Sequence, residues 1–269
     1  MINWRKYNGA IIPDTPPHLP INNTEEEIEL FIKQSKVFFA RWESDFDCKE
    51  STNFWFLINE TPMHLEDYNI KTRNQIRKGL KECFVEPITN SQLMDKGYDV
   101  YCSAFNRYKT YLKPKTRQQF INEINSTPHD WEYWGVFYNK RLIGYSKVMV
   151  VNDYAEYRST KFHPNFLRYR PSEALIYTMN FNYLNKRKFK YVNNGARSIS
   201  HHTNFPLFLI RKFKFRKAYC RLHIVYDGKI NLLVKYLYPF SGLLSLFSFG
   251  PFRQLNILLK QESIRRSFE

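Results

Sequence analysis

Residues 190–222 read KYVNNGARSISHHTNFPLFLIRKFKFRKAYCRL, and this stretch decides how the chain is read. Tyr191 and Val192 are a brief β-prone start, and Asn193-Asn194-Gly195 is turn chemistry. Leu207, Leu209, Ile210 and Phe213 then recur at helical spacing, ahead of the aromatic-rich strand run RKAYCRLHIVY. Strand, polar loop, short helix and strand in close succession build a cleft, because open α/β sheets hold ligands where a strand ends in a polar turn opposite a helix N-terminus. Taken alone, the segment also reads as an ordinary αβ connection with a polar loop.

Upstream of it the texture is that of strands. Trp131 to Tyr138, the Asn139-Lys140 turn and Leu142 to Asn152 predict a hairpin, and Asp153 to Lys161 a further strand. Pro171 suits a first helical position, and Glu173 to Leu184 carries an apolar helix. From 131 onward the expected order is strand, strand, strand, helix, strand, helix, strand.

Further toward the N-terminus, Gln92 to Tyr111 and Lys115 to Asn125 have helical spacing. In KTRNQIRKGLKE (71–82), Arg73, Arg77 and Lys81 recur every four residues and form a basic stripe on one helical face, a candidate polyanion-binding surface. Residues 1–24 read as a proline-rich, polar, extended segment. Asn23-Thr24 then caps a helix from Glu25 to Phe39 that runs into the strand FFARWESDFD. A second strand, Asn53 to Asn59, is expected to pair with it as a hairpin.

A chain of 269 residues with 43% hydrophobic content can bury one large core or two small ones. Lys and Arg number 41 against 25 Asp and Glu, a net charge of +16. That excess favours polyanionic partners, namely nucleotide phosphates, nucleic acid or an anionic membrane face. The four cysteines, Cys48, Cys83, Cys102 and Cys220, form no CxxC pair, so neither a zinc site nor a disulfide framework is indicated and no metal is expected. With no uninterrupted apolar core in MINWRKYNGAIIP, a cytoplasmic location is expected. Leu232 to Phe252 is rich in Leu and Phe but broken by Lys235, Pro239, Gly242, Gly250 and Pro251, so it does not read as a spanning helix. Lys235, Arg253, Lys260, Arg265 and Arg266 flank it, so 232–266 either meets an anionic membrane surface peripherally, at the inner membrane face, or packs on the core as a helical hairpin.

TNFPLFLIRKFKFRKAY resembles the closing part of the GNAT acyltransferase fold, in which an asparagine begins the last helix and a Gly-Phe pair follows it. Asn204 and Lys214-Phe215 stand at those positions. KTRNQIRKGLKECFVEPI resembles the basic helix that opens the GNAT-like unit of the FemAB type, the aminoacyl and acyl transferases of peptidoglycan bridge synthesis. The likeness covers about Lys71 to Tyr226. It implies an α/β (α+β) fold with a mixed, mostly antiparallel central sheet flanked by helices, and a degenerate second GNAT-like half in the first 60 residues. The chain is accordingly divided into an N-terminal arm, helix and strand hairpin (1–70), the GNAT-like domain (71–228) and a C-terminal hydrophobic and basic helical segment (229–269).

The resemblance further implies transfer of an acyl group from a thioester or ester carrier to an amine, with no covalent nucleophile. The splayed strand of GNAT proteins maps to Tyr154 to Thr160, which makes Glu156 the candidate base. GNAT proteins hold the carrier's pyrophosphate on a glycine-rich loop at a helix N-terminus. In LRYRPSEAL, Pro171 and Glu173 stand at the glycine positions, leaving Arg168, Arg170 and Ser172, with Asn204, as the candidate donor-binding residues. The tyrosine acid of many GNAT enzymes aligns near Ile210, which has no proton to give. His201 and His202 are candidate acids or bases because histidine titrates near neutrality, and Asn193, Asn194 and Ser198 are candidate substrate contacts. The expected activity is an N-acyltransferase using an acyl-CoA such as acetyl-CoA and an amine acceptor, a small molecule or saccharide precursor of the cell envelope. Two alternatives stand beside it: an aminoacyl-tRNA-dependent transferase, and a catalytically silent module that binds nucleic acid or a membrane.

Overall fold

A computed structural model of the chain describes residues 4–7, 9–108, 113–128, 131–199, 204–247 and 249–268. The chain opens with β1 (Trp4–Tyr7) and β2 (Ala10–Pro13), an antiparallel pair in the segment that its prolines had marked as merely extended. Helix α1 (Glu25–Ser35) starts at Thr24, whose hydroxyl accepts the Glu27 N–H while the Glu27 carboxylate accepts the Thr24 N–H. Ile28 and Ile32, one turn apart, are its buried side. Strands β3 (Phe39–Cys48) and β4 (Phe54–Asn59) follow, then α2 (Ile70–Glu82), β5 (Phe84–Ile88), α3 (Asn90–Phe105) and α4 (Arg117–Asn125).

Next come β6 (Trp131–Tyr138), β7 (Arg141–Val151) and β8 (Tyr154–Phe162), then α5 (Pro171–Asn180), which runs on as a π-helical turn over Phe181–Lys186. The chain closes with β9 (Tyr191–Ala196), α6 (Phe205–Phe213), β10 (Arg216–Tyr226), α7 (Gly228–Leu237), α8 (Ser241–Leu244) and α9 (Gly250–Arg266).

These elements form two compact units that interleave along the chain. The first holds Met1–Leu57, Ala196–Asn204 and Lys217–Glu269, the second Ile58–Gly195 and Phe205–Arg216. The boundaries therefore differ from 70/71 and 228/229, because strand pairing rather than chain order groups the elements. In the first unit the strands lie in the order β1-β2-β3-β10-β4. The expected hairpin of β3 with β4 does not form, since β10 lies between them. Ala40 pairs with Val225 and Trp42 with His223, whose rings stack at 5.2 Å, while the Thr52 hydroxyl donates to the Cys220 carbonyl at 2.9 Å. A hairpin is the cheaper closure, but β10 offers β3 a longer strand of alternating buried residues. Ile11, Ile28, Ile32 and Ala40 form the core under this sheet.

In the second unit β5, β6, β7 and β8 are antiparallel neighbours and β9 joins β8 in parallel. The β6–β7 hairpin is as expected, with Asn139 and Lys140 both at positive φ (47° and 63°) as a tight primed turn requires. Leu93, Val100, Phe120 and Ile124 of α3 and α4 pack with Tyr133 and Tyr145 on one face of this sheet. On the other face Ala174, Leu175, Ile176 and Met179 bury α5. Both units thus join a mostly antiparallel sheet to flanking helices, the mixed α/β class expected from the sequence. β5 escaped the sequence reading because it contains Pro87, which an edge position tolerates.

Candidate active site

Strand β8 is the point at which the second unit opens. Its parallel pairing with β9 runs through Tyr154–Tyr191, Ala155–Val192 and Glu156–Asn193, while β8 itself continues to Phe162. Two local features part the strands. On β9, Gly195 adopts φ +83°, a conformation that favours glycine, and its N–H donates to Asn193 Oδ1 at 2.7 Å, so the chain turns away two residues after the last pair. On β8, Val148 pairs with Tyr157 and Lys147 with Ser159, which makes Arg158 the extra residue of a bulge. The Asn-Asn-Gly turn read from the sequence is therefore the tail of β9, and it is what ends the ladder.

Glu156 sits at this fork. Trp131, Met149, Glu156 and Asn193 are successive cross-strand partners, which places them in one row over β6, β7, β8 and β9. The Tyr154 hydroxyl donates to Glu156 Oε2 at 2.7 Å and accepts from Asn193 Nδ2 at 3.1 Å. With the Asn193 oxygen taken by Gly195, the amide has only one useful orientation, and it fixes the direction of the chain from Asn193 through Tyr154 to Glu156. Burial first, and then the Glu156 charge, push the Tyr154 phenol well above its ordinary pKa, so it stays protonated as the donor. Arg158 Nε lies 3.2 Å from Glu156 Oε1, and its guanidinium also reaches Met149 Sδ at 3.1 Å. The result is a pre-oriented carboxylate at the mouth of a strand split, a group able to take a proton from an incoming amine.

FemX superposes with a TM-score of 0.56 over 86% of this chain and 85% of its own, at 9% identity. The C-terminal DUF2156 domain of a putative lysylphosphatidylglycerol synthetase from Agrobacterium fabrum gives 0.53 over 87% and 83%, at 11% identity. The fold is GNAT-like, of the FemAB type. At such identities the likeness is one of fold. No family model and no curated protein matches the chain by sequence.

Within this FemAB-type fold, the start of α5 is where the resemblance puts the donor's pyrophosphate, and this chain fills it. Arg170, at φ +61°, precedes α5, and Pro171 at the first helical position has no N–H to offer. The Glu173 carboxylate, 2% exposed, accepts from the Ser172 hydroxyl at 2.7 Å, from Lys212 Nζ of α6 at 2.7 Å and from Arg170 Nη1 at 3.5 Å. On the flank, a Cβ at Gly79 of α2 would lie 2.6 Å from the Arg170 carbonyl oxygen, so α2 is in direct backbone contact with the turn. Arg168 stacks on the Tyr169 ring at 4.8 Å and donates to its hydroxyl at 2.8 Å. Two of the candidate donor ligands, Arg170 and Ser172, thus meet an internal carboxylate, and these residues do not fit a pyrophosphate at this turn.

Of the other sequence candidates, Asn194 lies half-buried at the end of β9 in the second unit, whereas Ser198 and Asn204 are exposed and belong to the first. His201 and His202 lie outside the described residues. On α2, Arg77 and Lys81 are exposed and Arg73 half-buried, one residue out of phase with the buried Thr72 and Ile76, so the expected stripe is a solvent face. Among the described residues no cluster of three or more His, Cys, Asp or Glu is placed to hold a metal ion.

Sequence reading missed Tyr154, Arg158 and Lys147. Lys147 is buried on β7 and ion-paired at 2.9 Å with Glu123 of α4, which also binds Lys115. Burial pulls the Lys147 pKa down against the pull of Glu123. The signal was present, a single cation inside the apolar run LIGYSKVMVV. A separate cleft of about 480 Å³ lies at the β5–β6 edge, two strands from Glu156, and there Glu132 is held by Arg187 at 2.5 Å and Tyr183 at 2.7 Å.

Proposed function

We propose that the protein is an N-acyltransferase that moves an acyl group from an ester or thioester carrier to an amine, with Glu156 as general base. The observation that carries this reading is the buried, oriented Glu156 carboxylate at the point where β8 and β9 part. The amine nitrogen attacks the carrier's carbonyl carbon, and its proton passes to Glu156 directly or through one water. Backbone N–H groups of β8 beyond the fork steady the oxyanion, which collapses with release of the carrier as thiolate or hydroxyl. Asn193 and Asn194 are proposed as the acceptor's hydrogen-bond partners. The acceptor is an amine of a saccharide or other cell-envelope precursor, met in the cytoplasm.

For the donor, acyl-CoA follows from the resemblance. The filled first turn of α5 favours a second reading, an aminoacyl-tRNA whose phosphates meet Arg73, Arg77 and Lys81. One fold neighbour, the C-terminal domain of a putative lysylphosphatidylglycerol synthetase, is in keeping with aminoacyl transfer. The test is transfer of labelled acyl groups from acetyl-CoA, a long-chain acyl-CoA and charged tRNA to an amino-sugar acceptor, at low and moderate salt. Transfer from CoA esters with weak salt dependence supports the first donor, and strongly salt-dependent transfer from tRNA alone supports the second. If neither donor is consumed, or if Glu156→Gln is as active as the parent, the catalytic reading fails and the silent binding module replaces it.

A further inference from the structure

The C-terminal helices of the first unit have a well-anchored base and a bare apolar tip. At the base, Gln261 accepts from Arg41 at 2.8 Å, Glu262 accepts from Tyr226 at 2.9 Å, and Leu259 and Ile264 are buried. At the other end the chain turns through Pro239 and Gly242 and returns through Gly250 and Pro251 into α9. This turn is built rather than frayed: Asn256 Nδ2 donates to the Leu244 carbonyl at 3.1 Å and the Phe247 carbonyl at 2.7 Å. Phe247, Phe249 and Phe252 cluster with ring centroids 5.5–6.2 Å apart.

Large apolar side chains nevertheless point out from this tip. Tyr236 is 68% exposed, Leu243 61%, Leu246 74% and Phe249 64%, and Leu232, Leu233, Phe240 and Phe247 are exposed with them. Leu232, Tyr236 and Phe240 are spaced four apart and continue one ridge along α7 into the next turn, while Val234 is the residue α7 buries. An apolar patch of this kind on a soluble surface marks an interaction site.

Charge identifies the occupant. No acidic residue occurs between Asp227 and Glu262, whereas Lys229, Lys235, Arg253 and Lys260 do. Apolar and aromatic side chains at the tip, with cations and no acids around them, match a bilayer surface whose headgroups carry negative charge. Among the described residues no helix is long and apolar enough to cross a membrane, which limits the contact to shallow insertion. We propose that the tip formed by Leu232 to Phe249 docks the protein on an anionic lipid surface, with its Leu, Phe and Tyr side chains in the headgroup region and Lys229 and Lys235 beside the phosphates. The docking is independent of the transfer chemistry.

The experiment is vesicle co-sedimentation of the full chain with phosphatidylcholine alone and with an equimolar mixture of phosphatidylcholine and phosphatidylglycerol. The parent is expected to bind the mixed vesicles and not the neutral ones. Leu246→Ser with Phe249→Ser should lower the partition coefficient by roughly ten-fold or more, since each side chain loses its apolar burial. Lys229→Glu with Lys235→Glu should also lose roughly ten-fold, and that loss should shrink at high salt. Lys229→Glu with Lys235→Glu changes exposed side chains and should keep the parent's unfolding midpoint, whereas Leu246→Ser with Phe249→Ser also gives up the Phe249 ring contacts with Phe247 and Phe252, so for it the control is far-UV circular dichroism matching the parent. Failure of the parent to bind mixed vesicles, or unchanged binding by both variants, overturns the proposal. So does a concentration-dependent dimer in size exclusion that Leu246→Ser with Phe249→Ser abolishes while no vesicle binding is seen, because the tip would then cover a second copy. The assay involves no acyl transfer, and its failure leaves the role of Glu156 untouched.

Discussion

Glu156 and Glu173 are two buried carboxylates of the same unit, 7% and 2% exposed, and their neighbourhoods give them opposite tasks. Glu156 has one neutral donor, Tyr154, and one cation, Arg158, and it stands where two strands separate. Glu173 has a hydroxyl and two cations from its own and a neighbouring helix, in a turn that α2 closes through Gly79. The difference teaches that burial alone does not mark a reactive group. A carboxylate whose hydrogen bonds are all supplied by a closed helix contact works as a fastener, whereas one oriented at an opening in the ladder can exchange a proton with a substrate.

The most direct way to break this contrast is Glu156→Gln. It should cost roughly 10²–10⁴-fold in kcat, the range of general base catalysis, with far-UV circular dichroism unchanged. Parental turnover in that variant would remove the distinction altogether. Glu173→Gln should do the reverse, lowering unfolding free energy by about 1–3 kcal/mol in denaturant titration. Lys212 and Arg170 are 23% and 41% exposed and so partly compensated by water, which keeps the loss from being larger. Activity per folded molecule should stay near the parent value, and a fall like that of Glu156→Gln would mean that Glu173 touches the reaction.

Tyr154→Phe sharpens the comparison from inside the site. It removes the hydroxyl that joins Asn193 to Glu156 and should cost about ten-fold in kcat, or ~1.4 kcal/mol, with a pH–rate profile displaced relative to the parent. A pure stability loss with an unmoved profile would reduce Tyr154 to packing. The smallest effect belongs to a third carboxylate, Glu262. Burial opposes its charge, but hydrogen bonds from Arg265, Arg266 and Tyr226 overcome burial and hold its pKa below the ordinary value. Its folded pKa being the lower one, the stability it lends is complete above the unfolded value and drains as pH falls through the folded one. Glu262→Gln should therefore flatten the loss of thermal stability between neutral pH and about pH 3. An unchanged slope would show that the arginines do not act on this carboxylate.

Much of the frame was legible in residues close together in the chain. The Asn139-Lys140 turn announced β6 and β7, and the Asn23-Thr24 cap announced α1, because each signal is a local conformational preference. Glu156 was legible only through the family resemblance that put it on the splayed strand, and its partners were not: Tyr154 and Arg158 looked like ordinary strand residues until the pairing with β9 and the bulge brought them onto one carboxylate. β1 and β2 were hidden by their shortness, four residues each, within a segment whose prolines marked it as extended, and β5 by Pro87, which an edge strand tolerates.

By itself, then, the sequence determined the elements from Trp131 to Tyr226, their order, the basic face of α2 and the broken apolar texture of 232–252. Short-range sterics and the period of apolar residues carry all of these. Only the tertiary structure decided that β10 comes between β3 and β4, that Glu173 closes the start of α5 with a lysine from α6, and that the apolar tip of 232–249 faces outward. Those outcomes depend on contacts between residues far apart in the chain, where the balance of loop entropy, burial and charge pairing is set by partners that no local window contains.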